Sequence, residues 1–217
     1  MSEQDNIRKL EEIYRKAGIV CDPVEAYNLP EKGPYTIEDY YAIPDERRVE
    51  LIDGVIYDMA APDYIHQLII AEVLTQIKSC IRNRKTSCRV FPSPCDVQLQ
   101  ADGENDTIVQ PDLIIICNRE MLTRQLCKGA PEFVMEVLSR TTRRRDLWLK
   151  RQKYKTSGVR EYWIVDPDSR QVFVYDFDHS DVPAMYPFSA QIPILLSEGK
   201  CRIDFAKISE AIDELNL

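Results

Sequence analysis

Ile108-Val109-Gln110-Pro111-Asp112-Leu113-Ile114-Ile115-Ile116 and Phe133-Val134-Met135-Glu136-Val137-Leu138 decide how this chain reads. Both stretches are short, apolar and rich in β-branched residues, the pattern of buried strands. Each nevertheless carries one carboxylate. Burying an ionised carboxylate without a partner costs several kcal/mol, so Asp112 and Glu136 are expected to share a cation or a hydrogen-bonded site. Pro111 has no N–H to give to a strand ladder, and the bend it imposes turns Asp112 toward its neighbour. A basic segment follows at once: from Arg140 to Lys155 there are eight basic residues against one acid, Asp146.

The rest of the composition sets bounds. A chain of 217 residues, 44% hydrophobic and 29% charged, is long enough for one well-packed core with a small appendage. No apolar run approaches the ~18 residues that cross a bilayer, and Met1-Ser2-Glu3-Gln4-Asp5 lacks the basic and apolar regions of a signal peptide. The expectation is a cytoplasmic protein with no membrane partner. Seven cysteines without a CxxC pair read as free thiols in a reducing compartment rather than as a disulfide framework. Cys80, Cys88 and Cys95 are too far apart for a zinc knuckle. A net charge of −8 argues against coating nucleic acid by bulk electrostatics. What matters is that the positive charge gathers beside the two buried acids.

Outward from that centre, residues 5–17 carry Ile7, Leu10, Tyr14 and Ala17 at helical spacing and end at Gly18, which reads as a packing or dimerising arm. Cys21 to Pro34 reads as a linker. The expected domains are therefore an arm and linker over 1–34 and one domain over 35–217. Thr36 caps a short helix that Pro44 stops. Arg48 to Met59 forms a hairpin around Asp53-Gly54, with Glu50 and Ile52 on one face; Glu50 points either to solvent or into a cleft. A long helix runs from about Tyr64 to Arg82, and His66 in its first turn, where the helix dipole disfavours protonation, reads as a capping or hydrogen-bonded structural histidine rather than a catalytic one. Strands are expected at Arg89–Phe91 continuing through Asp96–Leu99, at Ile108–Cys117, at Glu132–Leu138, at Arg160–Asp166 and at Gln171–Asp176. A helix over Arg143 to Ser157 is capped by Thr142 and closed by Gly158, and an edge strand and a short helix end the chain. This order fits a mixed sheet flanked by helices, an α/β (α+β) architecture.

Two carboxylates on adjacent strands suit a hard divalent cation, magnesium or manganese, because such ions take oxygen ligands and keep several waters. Lys150, one helical turn after Asp146, supplies a positive charge to orient the attacking water and offset transition-state charge. A buried ion pair between Glu136 and an arginine or lysine, with Asp112 in a turn, would satisfy the same pattern without chemistry.

Gln110-Pro111-Asp112 and Glu136-Val137-Leu138-Ser139 resemble the PD-(D/E)XK signature of restriction-endonuclease-like nucleases, and the chain from about Tyr35 to Phe177 resembles the Uma-type family of endonucleases within that superfamily. The match includes Tyr35-Thr36-Ile37-Glu38-Asp39-Tyr40, Val49-Glu50-Leu51-Ile52-Asp53-Gly54, His66, Gly129-Ala130-Pro131, Thr141-Thr142 with Asp146, Lys150 and Tyr154, and Gly158 through Pro167. The resemblance implies a restriction-endonuclease-like core in which Asp112, Glu136 and the backbone carbonyl of Val137 hold magnesium. Glu50 is the additional acid ahead of the signature, and Gln110 lines the site. One departure stands out: the signature lysine falls on Leu138, and Lys150 from the next helix, or less well Lys153, takes its place.

The expected activity is hydrolysis of DNA phosphodiesters, double-stranded DNA being the partner and a homodimer suiting a two-strand cut. Arg140, Arg143, Arg144 and Arg145 would contact backbone phosphates. The alternative is a catalytically inactive module of the same fold that binds DNA or protein, which Leu138 favours.

Overall fold

The computed structural model describes residues 3–16, 32–44, 46–84, 86–100 and 106–216. The elements are α1 (Glu3–Lys16), α2 (Ile37–Tyr41), β1 (Val49–Ile52), β2 (Val55–Asp58), α3 (Tyr64–Arg84), β3 (Arg89–Pro92), β4 (Asp96–Leu99), β5 (Thr107–Val109), β6 (Leu113–Ile116), β7 (Leu126–Lys128), β8 (Phe133–Val137), a π-helical segment Arg145–Lys150, α4 (Arg151–Ser157), β9 (Glu161–Asp166), β10 (Gln171–Asp176), β11 (Ala184–Pro187), β12 (Gln191–Ile194), β13 (Cys201–Asp204) and α5 (Phe205–Glu214). The expected C′ position at Gly18, most of the expected linker and most of the loop at 101–106 lie outside the described residues.

A six-stranded sheet ordered β11-β10-β9-β8-β6-β3 forms the middle layer. It is mixed, since β8 and β9 run parallel while β6 and β8 run antiparallel. Side chains alternate across it. Leu113, Ile115, Phe133, Met135 and Val137 pack on α3 and α5 through Ile69, Val73, Ile77, Phe205 and Ile208. Ile114, Ile116, Val134 and Leu138 face the other way, onto Leu147, Leu149 and Tyr154 of the helical stretch that follows β8. Leu10 and Tyr14 of α1 join this second core, where the Tyr14 ring stands edge-on to Trp148 at 5.4 Å and to Phe173 at 5.3 Å. The expected mixed sheet between helices is what the chain forms.

A second sheet, ordered β2-β1-β5-β4-β7, was not expected from the sequence. It arises because two runs that read as single strands are each broken. Residues 89–99 bend at a cis Ser93–Pro94 bond, so β3 joins the six-stranded sheet while β4 joins the five-stranded one. Residues 107–116 bend at Pro111-Asp112, so β5 and β6 also part. The two bends meet, with Ser93 N donating to the Asp112 carbonyl at 3.0 Å. The β1–β2 hairpin turns through Asp53 and Gly54, both at positive φ (52° and 71°), as an Asp-Gly pair favours. A methyl at Gly54 would collide with the Gly33 carbonyl.

The cysteine expectation is corrected. Disulfides join Cys80 to Cys201 and Cys88 to Cys117, leaving Cys95 and Cys127 free among the described residues. The partners stand 121 and 29 positions apart in sequence, and only the docking of α3 on β13 and of β3 on β6 brings them together. No helix among the described residues is long and apolar enough to cross a membrane.

Glu161, at the start of β9, is buried and accepts from the backbone N–H groups of Leu195 and Leu196 and from Trp163 Nε1. Burial raises its pKa from 4.5 to about 7, against the pull of those three donors. The folded protein therefore keeps this proton where the unfolded chain has released it. Stability should fall by roughly 3 kcal/mol between about pH 4.5 and pH 7 and level off above, on Glu161's account alone. Because other buried carboxyls shift the same way, the measurement is the difference in slope between wild type and Glu161→Gln in urea unfolding across that window. The variant should show the flatter curve. Gly54→Ala should lower stability by about 2 kcal/mol through strain at positive φ together with the collision at Gly33, read as a drop in Tm.

Candidate active site

The two bends, the end of β8 and the helical stretch enclose a cleft of about 520 Å3, lined by Glu50, His66, Gln110, Asp112, Glu136, Asp146 and Lys150 among others. Each carboxylate reaches it by strand geometry. On β1, Val49 and Leu51 pack on Ile108 and Tyr40, which turns Glu50 and Ile52 to the opposite face. Glu50 is thus buried and cleft-facing, not solvated. On β8, Glu136 shares the face of Val134 and Leu138, toward the helix.

Lys150 meets three of these acids. Its Nζ lies 2.5 Å from Glu136 Oε1, 3.0 Å from Glu50 Oε1 and 3.4 Å from Asp146 Oδ1, with the lysine side chain 4% exposed. The π-helical turn over 145–150 adds a residue to the winding and sets Asp146 and Lys150 toward the cleft. Tyr154 donates to Glu136 Oε1 at 2.6 Å. Asp112 completes the group: its Oδ2 accepts from Val137 N at 2.8 Å, its own N–H points to Glu136 Oε2 at 3.4 Å, and His66 Nε2 stands 3.1 Å from Oδ2.

The electrostatics follow from counting charges. Burial pushes the Glu136 carboxyl well above its usual range; Lys150 pulls it down, but Asp112, Asp146 and Glu50 push it up again. Burial likewise raises Asp146, against Lys150 and Thr142. Burial alone would lower Lys150, yet Glu136, Glu50 and Asp146 hold it well above the ordinary lysine value. His66 is raised as well, because Asp112, Asp63 and Asp146 outweigh its desolvation. The direction is opposite to the one expected from the helix dipole, since a carboxylate in contact exceeds a terminal dipole. Asp146 Oδ1 has no hydrogen-bond partner.

Four carboxylates therefore face one lysine, one histidine and Arg145, whose Nε lies 3.9 Å from Glu50. Among the described residues no group of three or more His, Cys, Asp or Glu side chains forms a ready metal cage. The donor set does fit an ion that needs less: magnesium uses one or two carboxylates and fills its shell with water and phosphate oxygens. Asp112 and Glu136 are adjacent, oxygen-only donors in a site short of positive charge.

The basic residues divide. Arg140 is exposed and lines the cleft. Arg143 grips Asp166 through two bonds of 3.0 Å and Asp168 through a third, so it is not the free phosphate contact expected of it. Arg145 lies between Glu50 and the Tyr57 ring. Arg144 is exposed but does not line the cleft. Lys153 binds Asp53 of the hairpin and does not line the cleft. Gln110 lines the cleft, its backbone N–H donating to Glu50 Oε1 at 3.0 Å. Arg48, whose Nη2 donates to Gln110 Oε1 at 3.1 Å, was missed, because an arginine at the edge of a hairpin carries no sequence mark.

Comparison with known proteins fits this geometry. Among solved structures, the crystal structure of "a putative nuclease belonging to DUF820" from Anabaena variabilis ATCC 29413 is similar to this chain, with a TM-score of 0.66 at 19% identity, covering 81% of this chain and 97% of that one. No curated protein matches. The Uma2 family, described as "Putative restriction endonuclease", matches residues 37–192, which takes in every carboxylate of the cleft and Lys150. This chain belongs to the Uma2 family of restriction-endonuclease-like proteins.

Proposed function

We propose that this protein is a divalent-metal-dependent endonuclease that hydrolyses DNA, with Asp112 and Glu136 as metal ligands, Lys150 and Glu50 completing the catalytic group, and double-stranded DNA as substrate. The observation that carries the reading is the buried Lys150 ammonium within 3.4 Å of Glu136, Glu50 and Asp146, beside Asp112 in an open cleft. A purely structural ion pair needs one partner; here the acids outnumber the cation.

Magnesium or manganese, held by Asp112, Glu136 and the Val137 carbonyl, would supply Lewis-acid activation of the phosphodiester and of water. The chain's own groups do the rest. Lys150, surrounded by three carboxylates, stays charged, so it orients the attacking water and offsets charge developing on the phosphoryl oxygens rather than accepting a proton. Tyr154 fixes the Glu136 carboxylate by its 2.6 Å hydrogen bond. Glu50, tied to Gln110 N, holds Lys150 from the opposite side. Arg140 at the mouth meets a backbone phosphate, with Arg144 further along the surface. Lys150 also answers the departure at Leu138: a signature lysine would project from β8, whereas Leu138 is buried in the core beneath the helix and Lys150 reaches Glu136 from above it. A homodimer joined partly through α1 would suit a two-strand cut.

Incubated with supercoiled plasmid and magnesium or manganese, the wild type should cut, and Asp112→Ala and Lys150→Ala should each lose at least about a hundredfold in rate. Cutting by all three proteins alike would mean a contaminant and would sink the assignment. No cutting by the wild type, with tight metal-independent binding, would favour the inactive DNA-binding module. Arg140→Ala should weaken DNA binding evenly across sequences and reduce the slope of log K against log salt by about one.

A further inference from the structure

Beside the main cleft lies a second cavity of about 300 Å3, walled by Tyr40, Tyr41, Arg48, Asp96 and Gln110. Arg48 and Gln110 line both cavities and so form the partition between them. The polar wall is tightly organised. Gln110 Nε2 donates to the Tyr40 hydroxyl at 3.2 Å and to Asp96 Oδ1 at 3.0 Å, and the Tyr40 hydroxyl donates to the same Oδ1 at 3.0 Å. Arg48 Nη2 donates to Gln110 Oε1 at 3.1 Å and to Ser93 Oγ at 3.2 Å. Both bonds to Asp96 fall on Oδ1, which leaves Oδ2 as acceptor capacity in the wall. Arg48 Nε has no hydrogen-bond partner.

Opposite that wall the lining is mixed: Tyr41, Ile43, Pro44 and Val49 give an aromatic and apolar side, and Arg47, paired with Asp58, and Gln125 add polar groups. Tyr41 is 49% exposed and is braced edge-on by the buried Tyr40, their ring centroids 5.2 Å apart at 81°. Ile43 and Pro44 continue that side. A half-exposed ring, a carboxylate with a spare oxygen and a guanidinium within one small cavity call for a flat ligand with apolar faces, a donor edge and an attached anion. A nucleotide has all three.

The placement is as specific as the chemistry. Gln110 precedes Asp112 by two residues, at most about 7 Å of extended chain, comparable to one sugar–phosphate unit. Its backbone N–H already holds Glu50, while its side chain faces the second cavity's network. A strand whose phosphate lies at Asp112 and Glu136 would therefore bring a neighbouring base to Tyr41.

We propose that this cavity takes one unpaired nucleobase of the DNA strand, stacked on Tyr41 with its donor edge on Asp96 and its phosphate beside Arg48. The identity of the ligand rests on the nuclease reading above. A base inside a duplex is stacked and paired on these same surfaces and cannot enter. The preferred substrate is then duplex DNA carrying an unpaired nucleotide next to the cut, such as an overhang, a flap or an extruded base.

The test measures binding without hydrolysis. Fluorescence anisotropy in EDTA, with the full-length chain, compares a labelled hairpin duplex bearing a short single-stranded overhang with the same duplex blunt-ended, and with an overhang of abasic sugars. The wild type should bind the base-bearing overhang at least about tenfold tighter than the other two. Tyr41→Ala should lose about five- to hundredfold on that overhang with blunt-end binding unchanged, and Tyr41→Trp should keep the preference. Since Tyr41 is on the surface, both variants should melt with the wild type. Equal binding to all three DNAs, a preference that survives abasic substitution, or one that survives Tyr41→Ala would overturn the proposal. Because no strand is cut, an overhang preference in a protein that fails to cleave plasmid would sink the hydrolytic reading and leave this cavity standing; cleavage without the preference would do the reverse.

Discussion

A single ammonium group, Lys150 Nζ, sits almost sealed from solvent among Glu50, Glu136 and Asp146, and much of the rest of the molecule is explained by what it takes to keep it there. A buried lysine without partners would be neutralised or expelled, and three buried carboxylates without a cation would be costlier still. Each partner comes from a different element: β1, β8 and the π-helical turn. Their meeting point ties the five-stranded sheet, the six-stranded sheet and the helical layer to one another. Because the acids outnumber the cation even after His66 and Arg145 are counted, the cluster is not closed upon itself. On the side that opens to the cleft, burial and the neighbouring acids push the Glu136 and Asp146 carboxyls up.

The cleft exists because two strands fail to continue. Had residues 89–99 or 107–116 run straight, one extended sheet would have covered the space now lined by Ser93, Gln110 and Asp112. The breaks at Pro94 and Pro111 remove ladder donors at the point where the chain must pass from one sheet to the other. The side chains at the breaks are then free to face inward. Rigid strands hold Glu50 and Glu136, the break supplies Asp112, and the helix supplies Lys150 and Tyr154, so the group is fixed by packing on three sides.

The basic run from Arg140 to Lys155 turns out to serve two ends. Arg143, Lys150, Lys153 and Lys155 are bound to Asp166, Glu136, Asp53 and Asp181. Arg140 alone among the four expected arginines lines the cleft. A chain of net charge −8 thus keeps its positive field local, with most of the run fastening the helix to both sheets.

Much of this was legible beforehand. The apolar runs at 108–116 and 133–138 announced buried strands, the carboxylates inside them announced that Asp112 and Glu136 would meet, Asp53-Gly54 announced its hairpin, and Gly158 at φ 96° ends the helix where the sequence placed its end. These are local matters of side-chain size, period and backbone freedom. The family resemblance rested on the same residues and extended to Lys150. Contacts between positions remote in sequence were not legible: Cys80 with Cys201, Tyr40 with Asp96 and Gln110, His66 with Asp112, and the five-stranded sheet itself. The sequence by itself determined which segments are strands and helices and which acids cannot be left unpaired, because those follow from the cost of burying a group where the pattern puts it. Only the tertiary structure decided which face Glu50 takes, which arginines are already engaged and where the second cavity opens, because those depend on how separately formed elements dock.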